Sequence, residues 1–272
     1  MRVLISNDDG VQAEGIRVLH KEMAKLGTAI IVAPEKERST TGHSLTLHKP
    51  LRLLRFEKNV FAVSGGPADC IYVGINEVFK GKKPDLVISG INRGANLGQD
   101  VFYSGTVSAA REASNLGIPS VAVSLSLDHY KHGKPIYFQD AARALMKTLK
   151  KIMPLLSGAK SLSGALKTWP KGCLLNINIP NLPLNKIKGI RLGVQGYRNY
   201  GSQVLRRVDA RGRDYFWIGG VFKGYVPNPD SDCWLVDHGY ISVTPLELDT
   251  TMRDVFHSLE PHFGGKRGVL KL

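Results

Sequence analysis

Four short polar clusters in this 272-residue chain carry residue types that do chemistry: Asn7-Asp8-Asp9-Gly10, Ser39-Thr40-Thr41-Gly42-His43, Ser89-Gly90-Ile91-Asn92 with Asn96 close behind, and Ser104-Gly105-Thr106. Adjacent aspartates in a strand would point to opposite faces, but on the turn that Gly10 permits both carboxylates can bend toward one cation. Such hard oxygen donors suit magnesium or manganese. A serine hydroxyl or asparagine carbonyl adds a weaker neutral ligand and leaves coordination positions for water and a substrate phosphate, whereas zinc more often recruits histidine or cysteine. Aspartate also serves commonly as a helix N-cap or as a solvated turn residue, and Asp8-Asp9 alone does not choose among these uses.

Ser104-Gly105-Thr106 entering a helix offers unpaired N–H groups and two hydroxyls to an anion at the positive end of the helix dipole. An ordinary serine or threonine N-cap explains the same residues. His43 and His48 read as hydrogen-bonded structural residues. The turn after the first strand carries Gln12 and Ala13 where a dinucleotide-binding G-x-G-x-x-G would need glycine, no G-x-x-x-x-G-K-[ST] occurs, and Gly10 stands where a dehalogenase-type phosphatase has its second aspartate.

The elements that must position these clusters alternate between short β-branched runs and amphipathic helical patterns, the pattern of an α/β, Rossmann-like, mostly parallel sheet flanked by helices. Val3–Ser6 reads as the first strand, Ile16, Leu19, Met23 and Leu26 as one helix face, and Thr28–Ala33 as the second strand. Extended segments are expected around Leu45–Leu54 and Val60–Ser64. Pro67 opens a helix with the stripe Ile71, Ile75, Val78 and Phe79; Asp85–Ser89 is a buried strand, Thr106–Gly117 a thin helix and Ser120–Ser124 a strand. Ile136–Leu156 reads as a long helix, Ser157–Gly164 as a linker, Cys173–Ile179 as a strand, Tyr240–Thr244 as the last strand and Thr250–Leu259 as a short helix. The expected organisation is a catalytic core over 1–195 to which 240–260 returns, a β-rich C-terminal arm of extended hairpins over 196–239, and a basic tail over 261–272.

Thirty-seven Lys and Arg against 23 Asp and Glu give a formal charge of +14, a field that attracts phosphates of any kind. Three scattered cysteines, Cys70, Cys173 and Cys233, exclude a disulfide framework and fit a reducing compartment. The short apolar N-terminal run and the lack of any long apolar stretch lead us to expect a cytoplasmic protein without a membrane span.

Taken with Glu37-Arg38-Ser39, Gly42-His43-Ser44, Gly66-Pro67-Ala68-Asp69-Cys70, Ser89-Gly90-Ile91-Asn92-Arg93-Gly94 and Tyr103-Ser104-Gly105-Thr106-Val107, the first cluster resembles SurE, the survival protein E family of metal-dependent nucleotidases. The likeness returns at Leu175-Asn176-Ile177-Asn178-Ile179-Pro180 and Gly239-Tyr240-Ile241-Ser242-Val243-Thr244-Pro245. It implies phosphate removal from nucleoside monophosphates at the 5′ or 3′ position, some exopolyphosphatase activity, and one divalent cation per subunit, Mg2+ or Mn2+, held by Asp8, Asp9, Ser39 and Asn92. Asp8 and Asp9 are the catalytic candidates, with Asp8 serving as nucleophile, as base toward a water, or as ligand alone. Asn96, Ser104, Gly105 and Thr106 are expected to bind phosphate oxygens. The resemblance also implies a homodimer or homotetramer in which the C-terminal arm is exchanged. Arg111 and Ala113 depart from the family pattern, as does the length of the 157–171 linker. The rival reading is a basic nucleic-acid or polyphosphate-binding module with an idle metal site. It is disfavoured because Tyr197, Tyr200, Tyr215, Phe216 and Trp217 follow no RNA-binding motif.

Overall fold

The computed structural model describes residues 1–127, 133, 135–157, 161–201 and 203–263. In chain order the elements are β1 (Arg2–Ser6), α1 (Glu14–Met23), β2 (Thr28–Pro34), β3 (Leu53–Glu57), β4 (Val60–Val63), α2 (Pro67–Val73), β5 (Leu86–Arg93), α3 (Gly105–Asn115), β6 (Ser120–Ser126), α4 (Phe138–Ser157) and α5 (Leu162–Lys167). There follow β7 (Cys173–Pro180), β8 (Gly189–Leu192), β9 (Arg198–Tyr200), β10 (Gln203–Val208), β11 (Asp214–Gly219), β12 (Phe222–Tyr225), α6 (Asp232–Asp237), β13 (Tyr240–Glu247) and α7 (Arg253–Leu259).

Nine of the described strands form one sheet in the order β3-β4-β2-β1-β5-β6-β7-β13-β8, antiparallel only at β3/β4 and β7/β13. Successive residues of β1 face opposite layers: Val3 and Ile5 pack with Ile16 and Leu19 of α1 and Leu145 of α4, while Leu4 packs with Ile71 of α2 and Ala109 of α3. Helices on both faces explain why the central strands read as unbroken apolar runs. Ala113 is fully buried in the second layer, and half-buried Arg111 lies with its guanidinium 5.9 Å from the Phe102 ring.

The structure differs from the sequence reading in five places. Residues 45–52 form no strand; this segment crosses the surface with Leu47 80% exposed and is tied down by Thr46, whose N–H and hydroxyl donate to the Asp69 carboxylate. Beyond Val73 the helix widens into a π-helical turn over 74–78 and leaves Val78 half-buried. The small-residue linker contains α5, capped by Ser161, whose hydroxyl accepts from Gly164 N–H. Residues 158–160 and 264–272, the latter most of the basic tail, lie outside the described residues.

The fourth difference is in the region read as an extended arm. Its β10–β11 ribbon and β9–β12 pair are extended, but α6 at its end packs against the main sheet, with Cys233 and Val236 buried on Leu97. Six residues are too few to show a helical period; the Ser231 cap was the available signal. Strand β8, which the sequence reading did not contain, pairs in parallel with β13.

Candidate active site

From β1 the chain crosses to β2 on one side and, later, to β5 on the other, so the carboxyl ends of β1 and β5 flank the crevice where parallel sheets bind ligands. The turn leaving β1 is braced by Asn7, whose side-chain amide donates to Gly10 O at 3.0 Å and whose Oδ1 accepts from Gly10 N–H at 3.2 Å. Gly10 closes that turn at φ +101°, a backbone region that side chains disfavour. Asp8, 5% exposed, is thereby thrown against the start of α3, where Thr106 Oγ1 donates to its Oδ1 at 2.5 Å. A Cβ on Gly105 would sit 2.7 Å from Asp8 Cβ, so glycine is what lets the carboxylate approach the helix end. Asp9 turns the other way, and its Oδ2 accepts from Arg93 N–H at 3.1 Å.

Asn92 reaches the crevice through a bulge. The β5/β6 register runs from Ser89↔Ala122 to Asn92↔Ser124, three residues against two, and such a bulge re-aims the strand end. Asn92 Nδ2 donates to Gly94 O at 2.9 Å, which leaves its carbonyl oxygen as the donor atom for a cation. Ser39 arrives on the loop after β2, which is pinned where Arg38 N–H donates to Asp8 O at 2.7 Å, and its hydroxyl donates to Glu37 Oε1 at 2.7 Å. The same loop is held from behind by His43, whose Nε2 lies 2.7 Å from Glu112 Oε2, the structural use the sequence reading assigned to it.

Asp8, Asp9, Ser39, Asn92, Asn96 and Ser104 line one cleft of about 1000 Å³, closed on another side by Tyr197 and Tyr200. Gly105 and Thr106 lie behind it rather than in its wall, Thr106 being fully buried. The α3 N-terminus receives the Asp8 carboxylate, which takes the hydroxyl of Thr106. Ser104 is the N-cap of that helix, its Oγ accepting from Val107 N–H at 3.0 Å.

Burial pushes the Asp8 carboxyl up to about 6, the neighbouring charge of Asp9 adds to this, and the Thr106 hydrogen bond offsets part of it. Asp9 is also raised, by burial first and then by Glu37, against the lowering pull of the Arg93 N–H and charge. Two carboxylates with neutral hydroxyl and amide oxygens around one cleft are the donor types a hard divalent cation takes, and among the described residues no group of three or more His, Cys, Asp or Glu is placed to hold a metal without such neutral donors. The donor set fits magnesium or manganese.

The sequence reading gave no role to Asn7, Glu37 or Ser124. Asn7 and Glu37 stand beside site residues in the quoted clusters, but Ser124 sits on β6 and only the sheet brings it to Asn96, whose Nδ2 donates to its Oγ at 2.8 Å.

Comparison with known proteins gives the family and the fold. The family model "Survival protein SurE" matches residues 3–202. A protein called 5′-nucleotidase SurE in Geotalea uraniireducens is 43% identical over 92% of this chain and 94% of its own length. One of the same name in Paramagnetospirillum magneticum is 42% identical over 97% and 96%. The crystal structure of the SurE protein from Aquifex aeolicus superposes with a TM-score of 0.80 at 38% identity, covering 96% of this chain and 99% of that one. A match of this extent, on a fold whose strand ends gather the same clusters into one cleft, makes this chain a member of the SurE family.

Proposed function

We propose that this protein is a 5′-nucleotidase: a divalent-cation-dependent phosphomonoesterase that releases phosphate from nucleoside 5′-monophosphates and 3′-monophosphates and also trims short polyphosphate. The carrying observation is the convergence of Asp8, Asp9, Ser39 and Asn92, from three separate stretches of chain, on one cleft at the sheet's switch point. These four residues would hold one Mg2+ or Mn2+ per subunit. When bound, the cation neutralises phosphate charge and so eases attack by an oxygen nucleophile. Asp8 is oriented by Thr106, which fixes the direction of its carboxylate at the proposed cation position. Asn96 and Ser104 face the cleft and would contact the remaining phosphate oxygens.

The exposed apolar ribbon β10–β11, with Ile218 94% and Trp217 64% exposed, supports a homodimer or homotetramer in which the arm is covered by another subunit. Three free cysteines, two of them buried, fit a cytoplasmic protein, and no helix among the described residues is long and apolar enough to cross a membrane.

The test is to strip the protein with chelator and assay phosphate release from nucleoside monophosphates and short polyphosphates while magnesium, manganese or zinc is restored singly. Release should return with magnesium or manganese and remain several orders of magnitude lower in Asp9→Asn, which should fold normally. Activity that survives both chelation and Asp9→Asn would refute the metal assignment. Salt-sensitive RNA binding without any phosphate release would favour the binding-module reading instead.

A further inference from the structure

The Leu175-Asn176-Ile177-Asn178-Ile179-Pro180 motif lies on β7, an interior strand between β6 and β13, far in sequence from every residue assigned above. Leu175, Ile177 and Ile179 enter the core, as a central strand requires, but Asn176 and Asn178 alternate with them and are both fully buried. Two carboxamides in such a place are costly unless they are bonded. Both reach the same residue: Asn176 Nδ2 donates to Asn96 O at 2.8 Å, Asn178 Nδ2 donates to that oxygen at 3.0 Å, and Asn178 Oδ1 accepts from Asn96 N–H at 2.9 Å. The backbone of Asn96 thus has its donor and its acceptor satisfied by side chains, as a neighbouring strand would do, at a point where the chain has left β5. Ser124, which takes the Asn96 side chain, sits directly opposite Asn178 in the β6/β7 register. Asn176 Oδ1 finds no donor among the described residues, a penalty that a purely architectural strand would avoid with an apolar side chain.

We propose that Asn176 and Asn178 are positioning residues of the phosphatase site, fixing Asn96 and the start of the loop from Gly94 to Tyr103 at the cleft wall. This assignment rests on the phosphatase reading of the cleft. The loop is tied further along by Gly98 N–H to Asp232 and by the Gln99 amide to the Arg198 backbone, so loss of the asparagine clamp frees its Asn96 end without releasing the whole segment.

The test compares Asn178→Ala with Thr148→Ala, a matched control in which a fully buried hydroxyl bonded within α4 is removed far from the cleft. Hydrogen exchange of the 94–98 amides is read in the full chain, together with kcat, KM and the manganese midpoint for a nucleoside 5′-monophosphate. Asn178→Ala should speed exchange at Asn96 by at least about 10-fold and lower kcat about 100-fold, as expected when a contact group drifts by an ångström. Its manganese midpoint should stay within about 3-fold of wild type, because Asp8, Asp9 and Ser39 lie on other segments and Asn92 is held in the β5/β6 ladder, and Thr148→Ala should change neither exchange nor kcat. Wild-type kcat or unchanged exchange in Asn178→Ala overturns the proposal. If that variant does not fold, Asn176→Ser, which removes one donor to the Asn96 carbonyl, is read against the same outcomes. A wild-type protein that releases no phosphate refutes the phosphatase reading instead, and the exchange data then decide alone whether the pair holds the loop.

Discussion

Gly105→Ala probes the packing of Asp8 against the start of α3. Gly105 is the first residue of α3, and a methyl group there would lie 2.7 Å from Asp8 Cβ and 2.8 Å from its Oδ2. Ordinary contact begins near 3.4 Å, so Asp8 must retreat by about 0.7 Å. The clash includes the Cβ and not only the far end of a flexible side chain, so the shift is transmitted to the Asn7–Gly10 turn and to the carboxylate that Thr106 orients. Overpacking of this kind costs about 1–3 kcal/mol, partly offset by about 0.5–1 kcal/mol because alanine is the better helix former. The effect on rate should be far larger than on stability. A displacement approaching an ångström at a reacting carboxylate corresponds to about 100-fold in kcat. Denaturant unfolding in chelator and phosphate release at saturating manganese separate the two quantities. A Gly105→Ala protein with wild-type kcat and wild-type stability would show that Asp8 is not packed on the helix start, and the account of its orientation would fall with it.

Thr106→Val keeps the shape but deletes the donor to Asp8, which should weaken the site by about 1.5–3 kcal/mol and, because that bond favours the charged carboxylate, move the acid limb of the rate profile to higher pH; an unmoved limb refutes the coupling. Folding raises Asp8 from its ordinary 3.8 to about 6, so its contribution favours the fold below pH 3.8 and is lost as pH rises through about 6. Chelated Asp8→Asn should therefore be more stable than chelated wild type at pH 7.5, by up to about 3 kcal/mol, with the gap gone near pH 4 in denaturant titrations. Ile218→Asp places a charge on the exposed ribbon and should lower the solution mass measured by sedimentation; an unchanged mass removes the ribbon from the subunit contact.

Much of this protein is determined by local sequence. The apolar runs of β1, β2 and β6, the helix face of Ile16, Leu19 and Met23, and the glycine that turns the chain after Asp9 follow from periodicity and backbone freedom, which act over a few residues. The clusters at strand ends were legible for the same reason, and they carried the family resemblance. What the tertiary structure decided is which groups meet. Asp8 and Thr106 are 98 positions apart, and only the packing of α3 on β5 and β6 turns a helix end that could have gripped a free anion into the seat of Asp8. Asn178 and Asn96 are separated by 82 positions, and no local pattern announces that a strand's buried carboxamides satisfy a loop's backbone. The short helix α6 likewise takes its place from the surface it covers, because six residues hold too little periodicity to declare themselves. Local conformation depends on neighbours along the chain; hydrogen-bond partners depend on which distant segments the sheet order brings side by side.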